Sequence, residues 1–525
     1  MEFLKNISPR EYQKKIFESC AKENCLVVLP TGLGKTLIAL MLTIHRMKEY
    51  PGEKIVFLAP TKPLAEQHLN YFKKNLPELF GEMQLFTGAV NSQKRKKIWQ
   101  TADIIFSTPQ CVANDLKKNL YDLAEVCLLI EDEAHRCIKN YDYNFIARKY
   151  ISESAHPRIV GLTASPGSDA VKIKEICKNL SINKVELRTR DSPDVKNYLQ
   201  ELEFVKILVD FPPEFQEIKH VLLKLINEYV EELRMRKVLF GPATKTGLIE
   251  LQKRISKILS SHSGSNFNYM LGASACAQAI KLNHALELLE TQTLESFNNY
   301  LKELFSQASK KQSKGVVKLA SKQEFNFIYM QSSELLSKNR EHPKLEKLTE
   351  IIKEEFEING TKNKVPRIIV FTQFRDSAKK ISEQLNSDKK IKSKIFVGQA
   401  LKNIGGAKTG LNQKKQKEMI EDFSNGNINV LVATSIAEEG LDIPEVDAVI
   451  FYEPVPSAIR AIQRAGRTAR LSKGKLIILI TKGTRDESFF YASKAREKKM
   501  KTAIENIQKD FDAGIKLNSE KQETL

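Results

Sequence analysis

Three short clusters in this sequence have residue types and spacings suited to phosphoryl chemistry. The first is Leu29-Pro30-Thr31-Gly32-Leu33-Gly34-Lys35-Thr36, placed between an apolar run that reads as a strand and an apolar helix opening at Leu37. A strand, loop and helix in this order offers backbone N–H groups and a helix N-terminus to phosphate oxygens. Gly32 and Gly34 permit close backbone approach. Lys35 would reach the β- and γ-phosphates, Thr36 would bind Mg²⁺, and Thr31 lies in the same cradle. The strict pattern places a glycine five positions before Gly34, where this chain has Leu29; the flanking elements carry the assignment.

The second cluster, Ile130-Glu131-Asp132-Glu133-Ala134-His135, closes the apolar run Val126–Ile130. Asp132 at a strand end would hold Mg²⁺ through water, because this cation takes oxygen ligands. Glu133 would polarise the attacking water. Acidic residues also favour helix starts, so the pair gains its meaning from the phosphate loop upstream. The third cluster is Gln463-Arg464-Ala465-Gly466-Arg467-Thr468-Ala469-Arg470. Its three arginines share one helix face by their three-residue spacing, and three like charges side by side call for a polyanion. Arg467 and Arg470 are read as arginine fingers for a γ-phosphate, with Gln463 beside them. A solvated basic face or a nucleic-acid backbone contact is the competing reading; the finger role is preferred because the unit carrying these arginines has no phosphate loop of its own.

Positioning these clusters requires parallel sheets. Short apolar runs at Cys25–Leu29, Ile55–Leu58, Ile104–Phe106, Val126–Ile130 and Ile159–Leu162 alternate with helical patterns. Continuous apolar strands between helices predict a parallel sheet covered on both faces, with ligands at the carboxyl ends of the strands. A second set, Ile368–Phe371, Ile395–Val397, Val430–Ala433, Ala448–Tyr452 and Leu476–Ile480, predicts another unit of this kind. Between them, Ile218, Val221, Leu222, Leu225, Ile226, Tyr229, Val230 and Leu233 recur at one-face helical spacing, as do apolar residues in 248–259 and 277–289. The fold expected is α/β: two doubly wound parallel-sheet domains (residues 1–208 and 346–498) with an inserted all-helical domain (209–345) and a C-terminal helix and tail (499–525). Residues 306–322, rich in Ser, Gln and Lys, are expected to be an exposed mobile stretch. The chain beyond about residue 512 reads as polar and frayed. Trp99 reads as a packing residue rather than a stacking platform. His135 either couples the two binding surfaces or bonds locally.

The 525 residues carry 83 Lys+Arg against 64 Asp+Glu, a formal net charge of +19, which favours polyanionic partners such as nucleic acid. Seven sparse cysteines form no Cys-x-x-Cys pair, against a structural zinc site and in favour of a reduced compartment. No secretory apolar region opens the chain and no run of eighteen apolar residues occurs, so neither export nor a membrane span is expected; a cytoplasmic, nucleoid-associated protein of prokaryotic origin fits.

The clusters stand in the order of the superfamily 2 helicase motifs of the DEAH-lettered kind. Pro9-Arg10-Glu11-Tyr12-Gln13 resembles the adenine-reading element, which implies Gln13 and Arg10 as nucleotide contacts. Ala59-Pro60-Thr61-Lys62-Pro63-Leu64 with Gln67 resembles motif Ia, and Ser107-Thr108-Pro109-Gln110 resembles motif Ib. Leu162-Thr163-Ala164-Ser165-Pro166 resembles motif III. Phe371-Thr372-Gln373-Phe374-Arg375 resembles motif IV. The stretch from Ala433 and Thr434 through Gly440, Leu441, Asp442 and Pro444 resembles motif V, and the arginine cluster motif VI. The resemblance implies RecA-like domains, ATP and Mg²⁺ as cofactors, and Asp442 at the nucleotide. It implies Thr61, Lys62, Gln67, Thr108, Thr372, Gln373, Thr434 and Gly440 at the nucleic acid.

Within the superfamily, Leu29–Thr36, Asp191-Ser192-Pro193-Asp194-Val195, Lys482-Gly483-Thr484-Arg485-Asp486-Glu487 and the position of the helical insert resemble archaeal Hef and the Fanconi anaemia group M helicase. The expectation is an ATP-dependent helicase or translocase on branched DNA. Dicer and RIG-I-like RNA helicases place an insert similarly, so a double-stranded-RNA-dependent ATPase is one alternative; a non-catalytic nucleic-acid-binding scaffold is another. Hef commonly continues into a nuclease module, but no acidic nuclease cluster follows residue 470. Cutting is therefore not expected of this chain, and a separate nuclease or replication clamp is the expected protein partner. The insert is the expected source of substrate choice; Lys310, Lys311, Lys314, Lys318 and Lys322 could contact a duplex arm, but a solvated, flexible loop is the preferred reading of that cluster.

Overall fold

The computed structural model describes residues 3–5, 7–139, 141–190, 192–198, 202–260, 267–360, 365–398, 402–404, 407–409, 413–434, 444, 446–455 and 474–513. Fifteen strands are assigned among them. They are β1 (Cys25–Val28), β2 (Lys54–Leu58), β3 (Met83–Phe86), β4 (Ile104–Ser107), β5 (Val126–Asp132), β6 (Ile159–Thr163), β7 (Lys184–Leu187), β8 (Leu202–Val209), β9 (Ile368–Phe371), β10 (Ser393–Phe396), β11 (Lys402–Ile404), β12 (Ala407–Thr409), β13 (Val430–Ala433), β14 (Ala448–Phe451) and β15 (Gly474–Thr481). The first sheet runs β3-β4-β2-β5-β6-β1-β7 and the second β10-β13-β9-β14-β15-β8, with neighbouring strands parallel in both.

Both sheets are buried as a parallel sheet must be. All residues of β1, β2, β4, β5 and β6 are buried, and helices cover both faces. Three helices of the first domain bear on its site: α1 (Glu11–Lys22), α2 (Lys35–Glu49) and α3 (Lys62–Asn75). The two-sheet α/β fold with a helical domain between the sheets agrees with the pattern of the sequence. Strand β5 continues two residues past the apolar run, so Glu131 and Asp132 belong to the strand itself. The boundary expected at residue 208 cuts through β8, which pairs residue for residue with β15 in the second sheet.

The insert packs around the helices Pro213–Met235, Lys245–Ser260 and Phe267–Thr291. In the first of these, Phe215, Ile218, Leu222, Leu225, Ile226, Tyr229, Val230 and Leu233 form the buried stripe. One expectation needs correction here. Much of residues 306–322 is helical (Leu294–Ser309 and Lys314–Ala320), and Val316 and Leu319, three apart, are buried. Gly315 lies so close to Gln278 and Ser274 that a Cβ there would sit 2.3 and 2.7 Å from their side-chain atoms. Two apolar residues at helical spacing outweigh the polar composition around them.

The insert is joined to the second domain by a buried polar hub. Lys344 and Asp486, both fully buried, pair at 2.7 Å. The Lys344 ammonium also donates to the Thr291 carbonyl at 2.7 Å and lies over the Tyr452 ring. Arg485 donates to the backbone and side-chain oxygens of Asn283, both at 2.9 Å. The same stretch opens the long helix Arg485–Asp512, which ends on the first domain, where Met500, Ile504 and Ile507 join its core. Trp99 stacks on Tyr121 with ring centroids 3.9 Å apart and serves packing. Among the described residues no helix is long and apolar enough to cross a membrane.

Removing one member of a buried ion pair strands the other charge, at a cost of about 3–5 kcal/mol. Lys344→Met is therefore expected to lower the free energy of urea unfolding by that order, with a lower midpoint, and Lys344→Met with Asp486→Leu to recover most of it. An unchanged midpoint in the single variant would contradict this role.

Candidate functional site

The site lies at the carboxyl edge of the first sheet, where β5, β6 and β1 are neighbours. The chain leaves β1 into the phosphate loop and enters α2 at Lys35. Gly32 and Gly34 have φ of 88° and 82°, a left-handed conformation that glycine adopts at least cost. A side chain at Gly34 would also run into the Gln13 carboxamide, 2.3 Å from where a Cβ would stand. Lys35 folds back onto its own loop, donating to the Leu29 carbonyl at 2.8 Å. Leu29 thus supplies a backbone carbonyl, which any residue type could provide.

Asp132 ends β5 and is 6% exposed. Its Oδ2 is 2.9 Å from His68 Nε2, and His68 Nδ1 is 3.5 Å from the Thr36 hydroxyl. Burial alone would raise the Asp132 carboxyl. The hydrogen bond from His68, with the charge of Lys35, outweighs it and holds the group below the usual range. An ionised carboxylate and a threonine hydroxyl, bridged by one imidazole, are oxygen donors of the kind Mg²⁺ takes. Tyr143 fixes the strand end from behind, its hydroxyl donating to the Asp132 carbonyl at 2.7 Å.

Glu133 turns out of the strand with φ 53° and ψ 46°, left-handed for a non-glycine residue. Such a conformation costs energy and persists where the surroundings impose it. It brings Glu133 Oε2 to 3.2 Å from His135 Nδ1, which is also 3.3 Å from the Thr163 hydroxyl. Thr163 donates to the Ser165 carbonyl at 3.1 Å, and the Ser165 hydroxyl contacts Met500 of the long helix at 2.8 Å. Contacts therefore run from the Glu133 carboxylate, through His135, to an element anchored in the second domain.

The remaining expected residues divide. Gln13 is buried with both carboxamide atoms on backbone: Oε1 accepts from Arg10 N at 2.8 Å and Nε2 donates to the Leu33 carbonyl at 3.0 Å. It braces the phosphate loop from α1, while the Arg10 guanidinium lies over Tyr198. Thr61 and Lys62 are exposed at the start of α3, and Gln67, Thr108 and Gln373 are partly exposed. Thr372 is fully buried, its hydroxyl donating to Gln292 of the insert at 3.3 Å. This bond ties the end of β9 to the insert. Thr434 is also buried, at 6% exposure, with its N–H on the Phe396 carbonyl. Gly440, Asp442, Gln463, Arg467 and Arg470 lie outside the described residues. His68 was not singled out from the sequence; its place one residue after Gln67 was the available signal.

Residues 10–173 match the DEAD/DEAH box helicase model, 343–472 the helicase conserved C-terminal domain, and 214–331 an RNA-helicase helical-bundle model. The crystal structure of the Pyrococcus furiosus Hef helicase domain superposes with a TM-score of 0.71 at 40% identity, covering 94% of this chain and 100% of that one. The fold and the phosphate-binding edge are those of a superfamily 2 helicase core. Within that class, the chain belongs to the family of Hef and the Fanconi anaemia group M helicases. A Methanocaldococcus jannaschii relative carrying an ATP-dependent RNA helicase name is 40% identical over 96% of this chain and 61% of its own length. A mouse Fanconi anemia group M protein homolog is 33% identical over 95% of this chain and 26% of its own. The chain thus spans less than two thirds of either relative. Fungal relatives are named ATP-dependent DNA helicases.

Glu131, adjacent to Asp132 but on the opposite face of β5, is fully buried and accepts from the Cys137 thiol at 3.1 Å. Burial pushes its carboxyl from 4.5 to about 8, with the Cys137 bond pulling slightly back. The folded state then binds the proton more tightly than the unfolded chain. This contribution to stability is complete below pH 4.5 and is lost as pH rises towards 8, with a slope of at most about 1.4 kcal/mol per pH unit. Glu131→Gln is expected to melt close to wild type at pH 5 and above it at pH 8.5. A constant difference across that range would contradict a protonated Glu131.

Proposed function

We propose that the chain is an ATP-driven DNA helicase or translocase that works on branched DNA such as forks and junctions. The observation that carries the reading is the convergence of Lys35, Thr36, Asp132 and Glu133 at one sheet edge. Lys35 would exchange its Leu29 carbonyl for the β- and γ-phosphates of ATP. Thr36 and Asp132 are the residues that would hold Mg²⁺, which when bound neutralises phosphate charge. Glu133 would orient and deprotonate the attacking water. Arg467 and Arg470, from the second domain, would reach the γ-phosphate on closure, and Gln463 and Asp442 would line the same cleft.

ATP binding favours the closed arrangement by differential contact and hydrolysis releases it, a ligand-biased hinge. The contacts from Glu133 through His135, Thr163 and Ser165 to Met500 give that change a physical path. Nucleic acid would be gripped by Thr61, Lys62, Gln67, Thr108 and Gln373. Contacts of these types engage phosphates, so little sequence preference and a strong salt dependence are expected. The DNA helicase names of the fungal relatives and the likeness to Hef support DNA as substrate. The RNA helicase name of the archaeal relative and the matching helical-bundle model support RNA as the second reading.

The test is ATP turnover without nucleic acid and with single-stranded DNA, forked DNA or double-stranded RNA. Forked DNA is expected to stimulate most. Glu133→Gln is expected to lose about two to four orders of magnitude in turnover while retaining ATP binding. Stimulation by RNA alone would transfer the chain to the RNA reading, and equal competition between fork and linear duplex would sink the branched-DNA preference.

A further inference from the structure

The helix α3 bears on three different surfaces. Thr61 and Lys62 are exposed at its start, on the side proposed to meet nucleic acid. Glu66, one turn on, pairs across the domains with Lys417 at 2.9 Å. His68, about 9 Å further along the axis than Lys62, points inward at 7% exposure and stands between Thr36 and Asp132. Its ring is seated against Phe57 of β2, with centroids 4.3 Å apart, and Phe57 packs in turn against Phe72 of α3 and Phe106 of β4. The imidazole therefore follows the helix and has little room to turn independently.

The chemistry of the ring suits the position. A neutral imidazole donates from one nitrogen and accepts at the other. With Nε2–H donating to Asp132 Oδ2, Nδ1 is left to accept the Thr36 hydroxyl proton. The Thr36 oxygen then keeps its lone pairs for a cation, and the carboxylate is held in one rotamer. A shift of α3 changes both hydrogen bonds together, and so changes how both oxygens face a divalent ion.

We infer that His68 is a positioning residue that sets the geometry of Thr36 and Asp132 for the divalent cation and couples it to nucleic-acid contact through α3. The inference rests on the proposed function for the DNA side of the coupling. Its role toward the cation can be read without turnover.

The experiment uses the whole chain with His68→Phe, which keeps a ring against Phe57 and removes both nitrogens, and His68→Gln, which restores a donor and an acceptor. Mn²⁺ affinity with ADP is measured by electron paramagnetic resonance, alongside forked-DNA affinity without nucleotide and the ratio of DNA-stimulated to basal ATP turnover. His68→Phe is expected to weaken Mn²⁺ binding about tenfold to one-hundredfold, the usual effect of removing a partner of a metal ligand. Its stimulation ratio is expected to fall towards one with DNA affinity unchanged, and His68→Gln to recover part of both losses. Mn²⁺ affinity or stimulation within twofold of wild type in His68→Phe overturns the inference, as does a Gln variant no better than Phe. Wild-type turnover that no DNA stimulates would instead fail the proposed function and leave the Mn²⁺ comparison to decide the role toward the cation.

Discussion

A buried carboxylate must be matched by charge or by hydrogen-bond donors, because leaving an ion unpaired away from water costs more than most proteins can spare. Asp132 is such a group, and the arrangement of the first domain follows from it. It stands at the end of a central strand, where β5, flanked by β2 and β6, gives it almost no water. Lys35 approaches from the loop after β1 and His68 from the helix after β2. Each compensating group comes from a different element, so the carboxylate is correctly held only when the sheet is assembled and both helices are docked. The edge that results sets a compensated carboxylate beside a glycine-bearing loop and the N-terminus of α2, which suits a nucleotide with its cation.

The second domain meets the same problem in its joint with the insert. Lys344 and Asp486 are paired where no water reaches, and burial raises the Asp486 carboxyl while the ammonium pulls it back. Around this pair, Arg485 reaches Asn283 and Thr372 reaches Gln292. Such a satisfied network fixes orientation more than it adds stability. The helix Arg485–Asp512 carries the joint across to the first domain, where Met500 touches Ser165. The element that orients the insert is thus also the element that touches the chain just past β6, which His135 links to Glu133.

The two-sheet architecture was legible in the sequence, and so was the grouping of Gly32, Gly34, Lys35, Thr36, Asp132 and Glu133 at one sheet edge, because a glycine-bearing loop between strand and helix and an acidic pair at a strand end restrict both residue type and local geometry. The central strands could be read because burial on two faces keeps their middles apolar, with polar residues such as Lys54, Ser107, Glu131, Asp132 and Thr163 only at their ends. Strands β3 and β7 escaped notice because their exposed neighbours break the apolar run: Gln84 and Leu85 are only half-buried, as are Lys184 and Leu187. Strand β8 lies in the second sheet through its pairing with β15, more than two hundred and fifty residues away in the chain, and no local pattern encodes such a partner. The bond of Thr372 was hidden for a related reason: its partner Gln292 comes from the insert. His68 was missed because one histidine on an amphipathic helix has no signature until its two neighbours are seen in space.

The central claim is that the nucleotide site is half-built on the first sheet and is completed by arginines from the second domain. The most direct measurement compares nucleotide binding with turnover in Arg467→Ala and Arg470→Ala, using a fluorescent ATP analogue for binding and saturating forked DNA for turnover. If the arginines complete the site only on closure, binding stays within a few-fold of wild type while turnover falls by about three to five orders of magnitude. Turnover that survives either substitution would contradict the split site and place the whole of the chemistry on the first domain.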